Sequence, residues 1–106
     1  MLPFELQTPG EIVRVLAGRV RSMRLQRGWT QQEVAERAGL TLATYRRFER
    51  TGRIALERLV RIAVVLDARA GFDLLFAAPP AQSLAELAER TRPLARQRGR
   101  RPRADA

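Results

Sequence analysis

Apolar residues recur at helical spacing along most of the chain. Ile12, Leu16, Val20 and Met23 share one face of a predicted first helix. Its start is marked three times: Thr8 can cap it, Pro9 suits the first helical position, and Glu11 completes a Thr-x-x-Glu capping box. Leu6 and Ile12 occupy the two positions of a hydrophobic staple, and Gly28 ends the helix. Ahead of it Leu2, Phe4 and Leu6 alternate, which predicts a short extended arm over residues 1–8. A second capping box, Thr30-Gln31-Gln32-Glu33, opens a helix with Trp29 and Val34 as its staple. That helix can run only to Ala38, because Gly39 follows as a left-handed cap. Thr41 caps a third helix over 42–50, with Leu40 and Tyr45 as staple and Gly52 just beyond. A fourth helix, over 56–66, is expected to bury Leu56, Leu59, Ala63 and Leu66. A short fifth, over 71–77, offers Phe72, Leu75 and Phe76. Pro79-Pro80 ends this region, and Ser83-Leu84-Ala85-Glu86 starts one more short helix that Pro93 limits. The pattern predicts an all-α chain in three parts: the arm over 1–8, a helical domain over 9–78, and a proline linker, short helix and Arg-rich tail over 79–106.

Two short helices joined through Gly39-Leu40-Thr41 are the signature of a helix-turn-helix. Gly39 suits the turn because a Cβ resists the left-handed conformation there. Ala35 is small where the second helix must approach the third. Val34, Ala38, Leu40, Tyr45 and Phe48 form the apolar seam between them. Stepping 100° per residue from Leu42 places Tyr45 and Phe48 at about 300° and about 240°, facing the core. The opposite side of the third helix carries Ala43, Arg46, Arg47 and Arg50. An arginine there can fork onto guanine O6 and N7, and Ala43 allows close approach to a groove.

Composition narrows the chemistry. The chain of 106 residues is 45% apolar, enough for one modest core. With no Cys there is no disulfide, thiol nucleophile or thiolate metal site, and with no His the usual neutral-pH base and commonest metal ligand are missing. The carboxylates are single and interleaved with Arg, as on a salt-bridged surface. No catalytic residue, metal ligand or cofactor is therefore predicted, and the chain is not expected to be an enzyme. No signal peptide or membrane span is evident, so a cytoplasmic location is expected. The net charge is +9, and all 20 basic residues are Arg. Seven of them fall in 81–106 against three acids, so a short tail holds nearly half the excess. Such a distribution points to nucleic acid or another polyanion.

The run Arg24-Leu25-Gln26-Arg27-Gly28-Trp29-Thr30-Gln31-Gln32-Glu33-Val34-Ala35, with Phe48-Glu49-Arg50 after Gly39, resembles the DNA-binding domain of phage Cro and repressor proteins, the XRE-type family. The resemblance covers 11–77. It implies a five-helix fold whose third helix lies in the DNA major groove, with base contacts at Leu42, Ala43 and Arg47. Gln31 matches a position that holds a backbone phosphate. Thr41, Thr44, Arg46, Arg50 and Arg53 complete the candidate DNA-binding set. Arg24 and Glu49 match a partly buried salt bridge joining the first and third helices. Tyr45 and Phe48 depart from the family, which more often has aliphatic residues there.

The resemblance further implies a transcriptional repressor acting on double-stranded DNA. Operators of this family are usually palindromic, so a homodimer is expected, with the fifth helix, the arm and the Leu84–Leu87 helix as candidate surfaces. The stretch from Thr41 to Leu59 also looks similar to antitoxins partnered with HipA-type kinase toxins, small proteins that repress their own operon and bind the toxin. A stand-alone regulator without a toxin partner and a protein-interaction module are the alternatives the sequence leaves open. In the tail, Arg90, Arg92, Arg96, Arg98, Arg100, Arg101 and Arg103 can attract phosphates, and residues 98–103 look like an imperfect AT-hook.

Overall fold

The structure, a computed structural model, describes residues 2–79 and 83–91. Pro80, Pro93 and the arginines from Arg92 onward lie outside the described residues. The described elements are helical throughout: a 3-10 turn at Phe4–Leu6, then α1 (Pro9–Gln26), α2 (Gln31–Ala38), α3 (Leu42–Thr51), α4 (Leu56–Val65), α5 (Ala70–Leu74) and α6 (Leu84–Thr91). The chain divides into two compact units, one ending at Leu75 and one beginning at Phe76.

Local signals place the helix starts. Thr8 and Thr30 each accept the backbone N–H three residues on, and Glu11 and Glu33 reach back to the cap N–H, so both capping boxes are closed. Thr41 accepts the N–H of Thr44 at 3.1 Å and opens α3. Gly39 ends α2 with φ of 71°, a left-handed turn that aims α3 across it. Ser83 accepts the Glu86 N–H and opens α6 in the second unit.

The core of the first unit is built where α1 and α2 pack on α3 and where α4 packs on α2. Val34, Ala35, Tyr45, Phe48, Ile62 and Leu66 are almost fully buried, with Ala17 of α1 beside them. The rings of Tyr45 and Phe48 lie 6.3 Å apart at a tilt of 60°. Ala35 is completely buried, as its small size at the α2–α3 contact requires. Trp29 packs against this core between two guanidinium groups, Arg37 at 4.3 Å and Arg27 at 5.5 Å from the ring. Arg27 also donates to the Leu66 carbonyl and so ties the end of α1 to the end of α4.

Three expectations are corrected. The arm is not extended: Leu6 N–H bonds the Pro3 carbonyl and Gln7 N–H the Phe4 carbonyl, closing a 3-10 turn. Arg19 stacks on the Phe4 ring at 5.1 Å and draws that turn onto α1, while Leu6 stays 67% exposed. Leu56 lies 66% exposed rather than in the core. Its face of α4 is the right one, but the first turn projects past the core, and Ile62 fills the place instead. The fifth helix spans five residues, Ala70–Leu74, because Leu75 turns extended with ψ of 123°.

Candidate nucleic-acid interface

The helix-turn-helix presents α3 with one side buried and the other open. Tyr45 and Phe48 anchor it inward, and Ala43, Arg46, Arg47 and Arg50 are all exposed, as helix geometry requires. Leu42 and Thr44 are half-buried at the edges of this face. The side chains of Arg47, Arg50 and Arg53 make no hydrogen bond or ion pair with any described residue. They form an uncommitted cationic strip along and just beyond α3. Thr41 and Thr44 serve each other: the Thr41 hydroxyl donates to Thr44 Oγ1 at 2.8 Å while Thr41 Oγ1 accepts the Thr44 N–H. Their first role is to fix the entry to α3.

Arg24 and Glu49 meet as expected. Arg24 Nε donates to Glu49 Oε2 at 2.7 Å and Nη2 to Oε1 at 3.2 Å, while Nη1 donates to the Trp29 carbonyl at 2.9 Å. Both side chains are less than a tenth exposed. Burial pushes the Glu49 carboxyl up, but the hydrogen bonds from Arg24 and Gln31 and the neighbouring Tyr45 hydroxyl outweigh it, so the group lies below its ordinary range. The Glu49 hydrogen bond in turn raises Arg24. The Tyr45 hydroxyl is buried next to the same carboxylate, outside hydrogen-bond geometry, and burial followed by Glu49 pushes its pKa up. This cluster joins α1, the α1–α2 turn and α3, and it sets the tilt at which the arginine face is shown.

Gln31 does more than its expected phosphate contact requires. Its Nε2 donates to Glu49 Oε1 at 3.1 Å, and its Oε1 accepts Arg46 Nε at 3.3 Å. Arg21, 61% exposed, adds a further cation 4.0 Å from the same carboxylate. Sequence reading did not single out Arg21, Arg58 or Arg61. The latter two line a cleft of about 490 Å³ with Gly39, Leu40, Thr41 and Thr44, beside the entry to α3. Their positions three apart in the first turns of α4 were the available signal. Arg61 is partly neutralised by Glu57 at 2.7 Å.

Helix α2 packed inward through Val34, Ala35 and Ala38, the left-handed turn at Gly39 and the cationic outer face of α3 make up a helix-turn-helix. Residues 20–70 match the family model described as Helix-turn-helix, from the last two turns of α1 to the start of α5. That match supports a DNA-binding transcriptional regulator. No curated protein and no solved structure gives a significant match. Among the described residues no helix is long and apolar enough to cross a membrane, and no group of three or more His, Cys, Asp or Glu side chains could hold a metal ion.

Proposed function

We propose that the protein is a sequence-specific repressor that lays α3 in the major groove of a palindromic operator as a homodimer. The observation that carries this reading is the exposed arginine face of α3, held by a buried ion pair and, at Arg47 and Arg50, without partners among the described residues. Ala43 lets the helix backbone approach the groove floor, and the arginines supply forked donors to guanine and phosphate. Two half-sites need two copies, and the exposed Leu74 and Leu75 supply apolar surface for pairing. Electrophoretic mobility shift at low salt tests the reading, using the DNA upstream of the protein's own gene against a shuffled duplex. Tighter binding to the upstream DNA is expected, and equal binding to both would reject sequence-specific repression of that promoter.

The likeness of 41–59 to antitoxins supports an autoregulatory role in a toxin–antitoxin operon. Coexpression with the product of the adjacent gene tests it. A complex that binds the promoter more tightly than the protein alone is expected; no complex leaves a stand-alone regulator.

A further inference from the structure

Arg46 is the one arginine on the outer face of α3 that is tethered to another described residue, and the tether begins in the buried ion pair. Glu49 is pinned by two bonds from Arg24. Its Oε1 also accepts the Gln31 amide at 3.1 Å. A carboxylate only accepts, so Gln31 must turn its nitrogen toward Glu49 and its oxygen away. That oxygen meets Arg46 Nε at 3.3 Å. The charge of Glu49 thus sets the direction of the amide, and the amide sets the direction of the guanidinium.

We propose that Gln31 is a positioning residue that holds Arg46 for an end-on contact with a DNA phosphate, acting on DNA chiefly through Arg46. The inference rests on the DNA-binding reading. With Nε engaged, Arg46 keeps the N–H groups of Nη1 and Nη2, which lie at the end of its plane and can meet two oxygens of one phosphate. The tether draws Arg46 toward the start of α2, at the edge of the face, while Arg47 remains unattached to any described residue and can follow the groove. Ordering a long side chain beforehand removes part of the freedom it would otherwise lose on binding. A lysine at this position would keep the charge but has no Nε to be held by.

A double-mutant cycle on a random-sequence duplex at fixed low salt tests the proposal, with wild type, Gln31→Ala, Arg46→Ala and the double variant. Circular dichroism checks that each keeps its helix content. Gln31→Ala is expected to weaken binding roughly 3- to 10-fold, as loss of one hydrogen bond does. The double variant should match Arg46→Ala within about 2-fold, the sign of two residues acting as one. Arg46→Lys should weaken binding in the wild-type background and have little effect in the Gln31→Ala background. In the free protein, the Arg46 Nε–H signal in nitrogen-15 NMR should exchange slowly with water, and Gln31→Ala should abolish that protection. Losses that multiply in the double variant would show Gln31 acting on DNA independently and overturn the positioning role alone. A wild type that binds no duplex overturns the DNA-binding reading, and this role with it.

Discussion

Gly52 seats the end of α3 on the backbone of Val13 in α1. A Cβ there would lie 2.7 Å from both the carbonyl carbon and the carbonyl oxygen of Val13, and 2.8 Å from its Cγ2. Gly52 also has φ of 80°, the left-handed region that ends the helix. One missing side chain thus serves the cap and the docking of α3 together.

Gly52→Ala should therefore destabilise by roughly 2–4 kcal/mol, combining left-handed strain with forced separation of α1 and α3. Gly18→Ala, on the exposed side of α1 with nothing within 4 Å of the added carbon, should stabilise by about 0.5–1 kcal/mol. Urea denaturation of both variants checks the contrast. A loss at Gly52→Ala no greater than the roughly 1 kcal/mol of left-handed strain alone would mean that α1 does not pack on Gly52 in solution.

Removing one partner of the Arg24–Glu49 pair leaves the other charge stranded among buried groups. Glu49→Ala should cost about 2–4 kcal/mol, well above the less than about 1 kcal/mol of a surface pair. The exposed Arg61–Glu57 pair, broken by Glu57→Ala, supplies the control: a loss of a few tenths of a kcal/mol is expected. Comparable losses in both variants would contradict the burial of Glu49.

Acid should weaken the fold partly through the same residue. The folded-state pKa of Glu49 lies below the ordinary carboxyl value of 4.5, so between the two values the unfolded chain binds the extra proton. Its contribution is complete above the unfolded value and is lost as pH falls through the folded one. Denaturation midpoints measured from pH 6 downward should fall more steeply, below about 5, for wild type than for Glu49→Gln, which has no proton to take up. Parallel curves would remove Glu49 from the acid response.

Arg47 is expected to be the main base-reading residue. It sits four residues after Ala43 on the exposed face and has no partner among the described residues. Arg47→Ala should relax preference at one base pair per half-site, a change of about 1–3 kcal/mol in discrimination. Arg46→Ala should weaken all sequences alike, since phosphate contacts carry no direct sequence information. Binding-site selection with each variant separates the two, and an unchanged motif for Arg47→Ala would remove it from readout.

Ending the chain after Thr91 keeps α6 and removes six arginines and one aspartate. Each lost phosphate contact should flatten the log–log salt dependence by roughly 0.9. Affinity for operator and for random DNA should fall by similar factors in a salt titration. A loss confined to the operator would assign the tail a role in sequence reading or in pairing of two copies.

Much of the fold was legible because its signals are local. Thr8, Thr30 and Thr41 cap helices through bonds to residues three positions on, and Gly39 needs only its own backbone to make the turn. The faces of α3 follow from its period, so Tyr45 and Phe48 inward and Arg46, Arg47 and Arg50 outward could be read directly. The Arg24–Glu49 pair, 25 residues apart, came from family resemblance and not from spacing. What only the tertiary structure decided depends on neighbours distant in the chain. How far the core extends along α4 left Leu56 outside and Ile62 within, and stacking of Arg19 on Phe4 accompanies the turn that replaced an extended arm. The link from Glu49 through Gln31 to Arg46 exists because α2 and α3 bring their side chains within about 3 Å, a distance no linear pattern encodes.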